Sequence, residues 1–169
     1  MKIRIKRKLN EGKGADIIAR GLKINLLSDL SKRVFEKFGG FEEVIEGDSE
    51  KVNQAIELII GLGSGDRQSM ENDSNIFREF ARMSEKEVPI KKREYEELVD
   101  RNRRDINNEI DTVSRGRGLD SGFGAENDFF VQEMEKYAAL EEKKYLSDIK
   151  KLQEKVDLYN DIAEKLSQT

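Results

Sequence analysis

The chain has 169 residues, and 39% of them are charged, against about 25% in an ordinary globular domain. It contains no His, no Cys and no Trp, and Pro89 is its one proline. Disulfides, thiolate and imidazole catalysis, and Cys/His metal centres are therefore excluded, and no cofactor is expected.

The formal net charge of −4 conceals a split. Residues 1–39 carry 11 Lys/Arg against 4 Asp/Glu, a head of +7, so the remainder carries −11. A basic head on an acidic body points to two surfaces with different partners. No apolar run approaches the ~18 residues of a membrane helix. The charged N-terminus lacks the apolar core of a secretory leader, so a cytosolic location is expected, with no membrane partner.

Lys2-Ile3-Arg4-Ile5-Lys6 alternates cationic and apolar residues with period two, the pattern of a short edge strand or extended arm. Too short to be stable alone, it would have to add to a neighbouring surface. Gly12, Gly14 and Gly21 leave room for one helical turn around Asp16–Ala19. Leu26, Leu27, Leu30, Val34 and Phe38 then recur at helical spacing, and Gly39-Gly40 ends that helix. The next helix starts at Asp48 or Ser49, carries Val52, Ala55, Ile56, Ile59 and Ile60 on one face, and stops in Gly61–Gly65.

Residues 63–75 are polar and rich in Gly, Ser and Asn, which predicts a loop. A third helix is expected from Ile76 to about Glu87, capped by Asp73 or Ser74 and ended by Val88-Pro89. The fourth covers Ile90 to Ser114, with Tyr95, Leu98, Val99, Ile106, Ile110 and Val113 on a stripe that Asn102 and Asp105 interrupt. A Gly-rich hinge over 115–126 follows.

From Asp128 to Ser167 there is neither Gly nor Pro, which predicts one long helix. Tyr145, Ile149, Leu152, Val156, Tyr159, Ala163 and Leu166 fall at alternating spacings of four and three, a heptad seam. Phe130, Met134 and Tyr137 occupy a different register. The expectation is that this near end packs on the body, while the distal seam meets another helix, from the same chain folded back or from another chain.

The candidate binding residues are accordingly two groups. One is the seam Tyr145, Ile149, Leu152, Val156, Tyr159, Ala163 and Leu166. The other is the basic arm Lys2, Arg4, Lys6, Arg7 and Lys8, whose cations suit an acidic protein surface or nucleic-acid phosphates. No aromatic interleaves with those cations, so base stacking has no residue to carry it. The Gly61–Asp66 run follows a helix and lacks the Lys-Ser/Thr of a phosphate loop, so it reads as a helix end. Arg115-Gly-Arg-Gly reads as a joint, and Arg101, Arg103 and Arg104, among Glu96, Glu97, Asp100 and Asp105, as a solvated face. No Gly-x-Ser-x-Gly motif is present, and without His no Glu-x-x-His di-iron pair can form, so the chain is read as a non-enzyme.

The opening residues Met1–Glu11, with Gly12 and Gly14 behind them, resemble the start of small tailed-bacteriophage virion or assembly proteins, which begin with a Lys/Ile alternation and a Gly-rich stretch. The resemblance covers about 14 residues and implies a virion or assembly role, in the virion or the host cytoplasm. The expected architecture is mainly α. A basic extended arm over 1–14 precedes a helical body over 15–114, and the hinge over 115–126 leads to a long coiled-coil-like C-terminal helix over 127–169. The expected function is that of a non-catalytic structural subunit, homo- or hetero-oligomeric, binding other protein subunits through arm and seam. The alternative is a nucleic-acid-binding accessory protein that uses the arm.

Overall fold

A computed structural model describes residues 20–116 and 124–168, and these are mainly α, with no strand among them. The expected N-terminal arm, with Lys2, Arg4, Lys6, Arg7 and Lys8, lies outside the described residues, as does most of the Gly-rich hinge. The helices are α1 (Asp29–Lys37), α2 (Phe41–Ile45), α3 (Ser49–Gly63), α4 (Arg67–Gly116) and α5 (Gly124–Ser167), with a further helical segment at 20–24. None is long and apolar enough to cross a membrane.

Local chemistry explains the ends. Ser28 caps α1, its side chain accepting from Ser31 N–H. At the other end Gly40 N–H donates to Phe35 C=O at 2.8 Å and Gly39 N–H to Glu36 C=O at 3.1 Å, which satisfies the last carbonyls as a Schellman motif does. Gly39 and Gly40 stand at φ 104° and 108°, left-handed geometry that a Cβ would strain. Asp48 caps α3, accepting from Lys51 N–H at 2.8 Å, and Asp66 accepts from Ser69 N–H at the start of α4.

Two sequence expectations fail in α4. The predicted 63–75 loop is largely helix, and Val88-Pro89 does not end the helix, because α4 runs unbroken through Pro89. Met70, Asp73, Ser74, Phe77, Phe80, Ala81 and Ser84 are all buried, at spacings of three and four. The helical period thus passes straight through the polar stretch. Tertiary packing of that stripe outweighs both the polar composition and the local penalty of proline.

The described residues divide into two compact units: 20–84 with 155–168, and 85–116 with 124–154. The division falls inside α4 and α5, and each of these helices contributes to both units. The first unit has an apolar core from α1, α2, α3 and the ends of α4 and α5, including Val34, Val44, Ile56, Ile59 and Ile162. Its centre is aromatic. Phe35 meets Phe41 edge-on at 5.2 Å, Phe41 lies 5.5 Å from Phe80, and Phe80 lies 5.5 Å from Tyr159. Such pairs add about 0.5–1.5 kcal/mol each beyond burial. Lys23–Glu79 at 3.0 Å and Lys155–Glu46 at 3.3 Å pair at its surface.

In the second unit α4 and α5 run antiparallel. Lys91 Nζ stands 5.5 Å from the Tyr145 ring centroid, and Asn102 Nδ2 donates to Glu142 Oε1 at 3.2 Å. Leu98, Val113 and Ile149 are buried in this unit. Asn102, which interrupts the apolar stripe in the sequence, is half-buried and supplies a polar tie of the kind that fixes helix register.

Candidate functional site

The predicted C-terminal seam is closed by the chain itself. Tyr159, Ala163 and Leu166 lie in the first unit's core, and Val156 packs against it. Tyr159 contacts Phe77 and Phe80, and Ala163 C=O accepts from Ser74 Oγ at 2.7 Å. In the second unit Ile149 is buried, Leu152 is half-buried, and Tyr145 lies under the Lys91 ammonium. Lys91 also pairs with Glu94 at 2.7 Å. That bond, together with the charges of Glu94, Tyr145 and Asp148, raises the Lys91 pKa above its usual value, against the opposing effect of burial. Of the two partners that the spacing leaves open, a helix of the same chain folded back or one from another chain, the same chain's α4 meets the seam, through Phe77 and Phe80 at Tyr159 and through Lys91 at Tyr145.

Of the near-end residues expected to pack on the body, Met134 is half-buried but Phe130 and Tyr137 are exposed. Phe129 (64% exposed), Phe130 (54%), Tyr137 (69%) and Leu140 (64%) stand in solvent on the second unit. At about 100° per residue they fall within one arc about 100° wide. The half-buried Met134, Ala138 and Tyr145 and the buried Ile149 lie around a direction roughly 120° away. The exposed residues are thus a second face of α5, distinct from the one packed against α4. Glu133, Lys136 and Lys144 share or border this face, and Glu133 and Lys136 pair at 2.8 Å. Isolated exposed apolar residues are ordinary, whereas four large ones on one helix face are a feature of binding surfaces.

A second constellation was not foreseen as a cluster. Asp73 is fully buried on α4, and its carboxylate accepts from Ser28 N–H at 2.7 Å, Ser28 Oγ at 2.6 Å and Ser31 Oγ at 2.5 Å. Asn72 Nδ2 adds a bond to Leu26 C=O at 3.1 Å. Serine hydroxyls beside an acid invite a catalytic reading, but the geometry opposes it. Both hydroxyls donate to the carboxylate, Ser28 Oγ also accepts from Ser31 N–H, and Asp73 and Ser31 have no exposed surface. The cluster ties α4 to the N-terminus of α1, where a carboxylate also meets the positive end of the helix dipole. Its sequence signal was available: Asp73 and Ser74 sit at core positions of the Met70–Phe77 helical period.

Among the described residues no group of three or more acidic side chains converges in a way that could hold a metal ion. No protein-family model matches the chain, and no curated protein or solved structure matches it at a significant level.

Proposed function

We propose that the chain is a non-catalytic structural or assembly subunit of a larger protein complex, of the kind found in a bacteriophage virion. The observation that carries this reading is the face Phe129, Phe130, Tyr137 and Leu140, apolar and exposed on a helix whose other face is already packed. Leaving such side chains in water forgoes about 1.5–3 kcal/mol for each large one that a partner could bury. The buried Asp73 cluster supports a non-catalytic role, since its hydroxyls and carboxylate are occupied by one another. The resemblance of the opening residues to phage virion and assembly proteins points the same way. The contact surface differs from the seam expected at first. Ile149 and Val156 are packed within the chain, so replacing them would unfold it rather than release a partner.

The test is gradient sedimentation of the tagged full chain from its native source. Co-sedimentation with species far heavier than a dimer is the expected result; recovery as free monomer or dimer alone refutes the reading. The alternative, nucleic-acid binding, rests on Lys2, Arg4, Lys6, Arg7 and Lys8 within the +7 head. It requires filter binding that weakens steeply with salt and is lost when residues 1–8 are removed.

A further inference from the structure

We propose that the exposed face of α5 docks on the same face of a second copy of this chain, antiparallel, about a two-fold axis between Tyr137 and Leu140. The inference rests on the assembly reading and names one partner within it.

The ground is charge and size complementarity of the face with itself. Along it run Phe130, Glu133, Tyr137, Leu140 and Lys144, at spacings of three and four. Glu133 and Lys144 are centred on the same point of the helix as Tyr137 and Leu140, and so are Phe130 and Ser147. Reversing one copy about that point brings Tyr137 onto Leu140 of the other copy, and Glu133 onto Lys144, twice over. It also sets each Phe130 against the small side chain of Ser147. A parallel, in-register pairing would instead oppose Glu133 to Glu133 and Lys144 to Lys144, which like-charge repulsion disfavours. Glu133 is engaged with Lys136 in the single chain, an exposed pair along one helix that exchanges readily.

The contact strip, about 20 residues of helix, is roughly 30 Å long and 10 Å wide. It therefore falls below the roughly 800 Å² per partner of a standard stable interface. The expected association is weak, in the range of tens to hundreds of micromolar, as suits a contact reinforced within a larger assembly.

Sedimentation velocity of the full chain from about 10 to about 500 μM should show its mass rising towards the dimer. Leu140→Glu should shift that transition to at least about tenfold higher concentration, with an unchanged circular dichroism spectrum and melting curve, because Leu140 is exposed. Glu133→Lys should weaken association, and adding Lys144→Glu should restore it; a parallel pairing would respond to neither. A monomer across the whole range overturns the proposal, as does full association by Leu140→Glu or indifference to Glu133→Lys. A monomeric chain that still co-sediments with a large complex sinks self-docking alone. A dimer never found in anything heavier sinks the assembly reading alone.

Discussion

Replacing Asp73 by alanine is the sharpest test of how the first unit is held together. The substitution removes the acceptor of three hydrogen bonds, from Ser28 N–H, Ser28 Oγ and Ser31 Oγ. Bonds accepted by a carboxylate contribute about 1.5–3 kcal/mol each, and a buried donor left unpaired costs about 1–3 kcal/mol. Ser28 is half-buried and regains some bonding to water, whereas Ser31 has no exposed surface and does not. A loss of about 3–5 kcal/mol follows, a large part of the roughly 5–15 kcal/mol that holds a domain folded. Urea unfolding followed by circular dichroism measures it, and hydrogen exchange in α1 peptides places it in the first unit. The diagnostic is the second mutation. Ser31→Ala alone should destabilise, but in the Asp73→Ala background it should be neutral or stabilising, because it deletes the stranded hydroxyl. If Asp73→Ala lies within about 1 kcal/mol of the parent, or Ser31→Ala costs the same in both backgrounds, the cluster is not what anchors α1.

Three further outcomes follow from named contacts. Pro89 is exposed inside α4 and cannot donate to Glu85 C=O one turn earlier; Pro89→Ala should stabilise by about 1–3 kcal/mol, read as a higher melting temperature. A Cβ on Gly63 would stand 2.6 Å from Met70 Cε and 2.8 Å from its Sδ. Met70 is itself buried, so Gly63→Ala should destabilise by about 1–3 kcal/mol through overpacking in the same urea assay. The Glu79 carboxyl is held below its ordinary value of 4.5 by hydrogen bonds from Lys23 and Arg82. Its folded-state pKa thus lies below the unfolded one, so its contribution is complete above pH 4.5 and disappears as pH falls through the folded value. The stability gap between the parent and Glu79→Gln should therefore narrow on acidification below pH 4.5, and a gap that widened there would reverse the assignment.

The mainly α fold was readable wherever a helix announces itself by local chemistry. Gly39-Gly40 ends α1 and Asp48 opens α3, as the sequence indicates, because a left-handed C-terminal cap and an N-terminal carboxylate cap are decided within one turn of chain. The short α2 left no sign, since its five residues, Phe41–Ile45, are too few to show a period. The course of α4 was lost for a different reason. Asp73, Ser74 and Ser84 occupy core positions with polar side chains whose partners lie far along the chain: Ser28 and Ser31 for Asp73, Ala163 for Ser74, and Arg20 for Ser84. A polar residue reads as surface until its buried partner is known, so a continuous buried stripe looked like a loop and a cap.

The same reasoning explains why the seam could be recognised while its partner could not. Spacings of three and four from Tyr145 to Leu166 demand a covering helix, whether that helix comes from the same chain or from another. Phe77 and Phe80, one turn apart on the antiparallel α4, supply it within the first unit by contacting Tyr159. Once that demand is met inside the molecule, the seam ceases to argue for assembly, and the argument passes to the apolar residues that its register leaves out. Phe129, Phe130, Tyr137 and Leu140 lie roughly 120° around the helix from Met134, Ala138, Tyr145 and Ile149, and all four are exposed. The first half of α5 thus carries a second apolar face beside the one packed on α4, which a helix built for a single neighbour would not need. The half that finds no cover among the described residues is the one on which a partner can be sought.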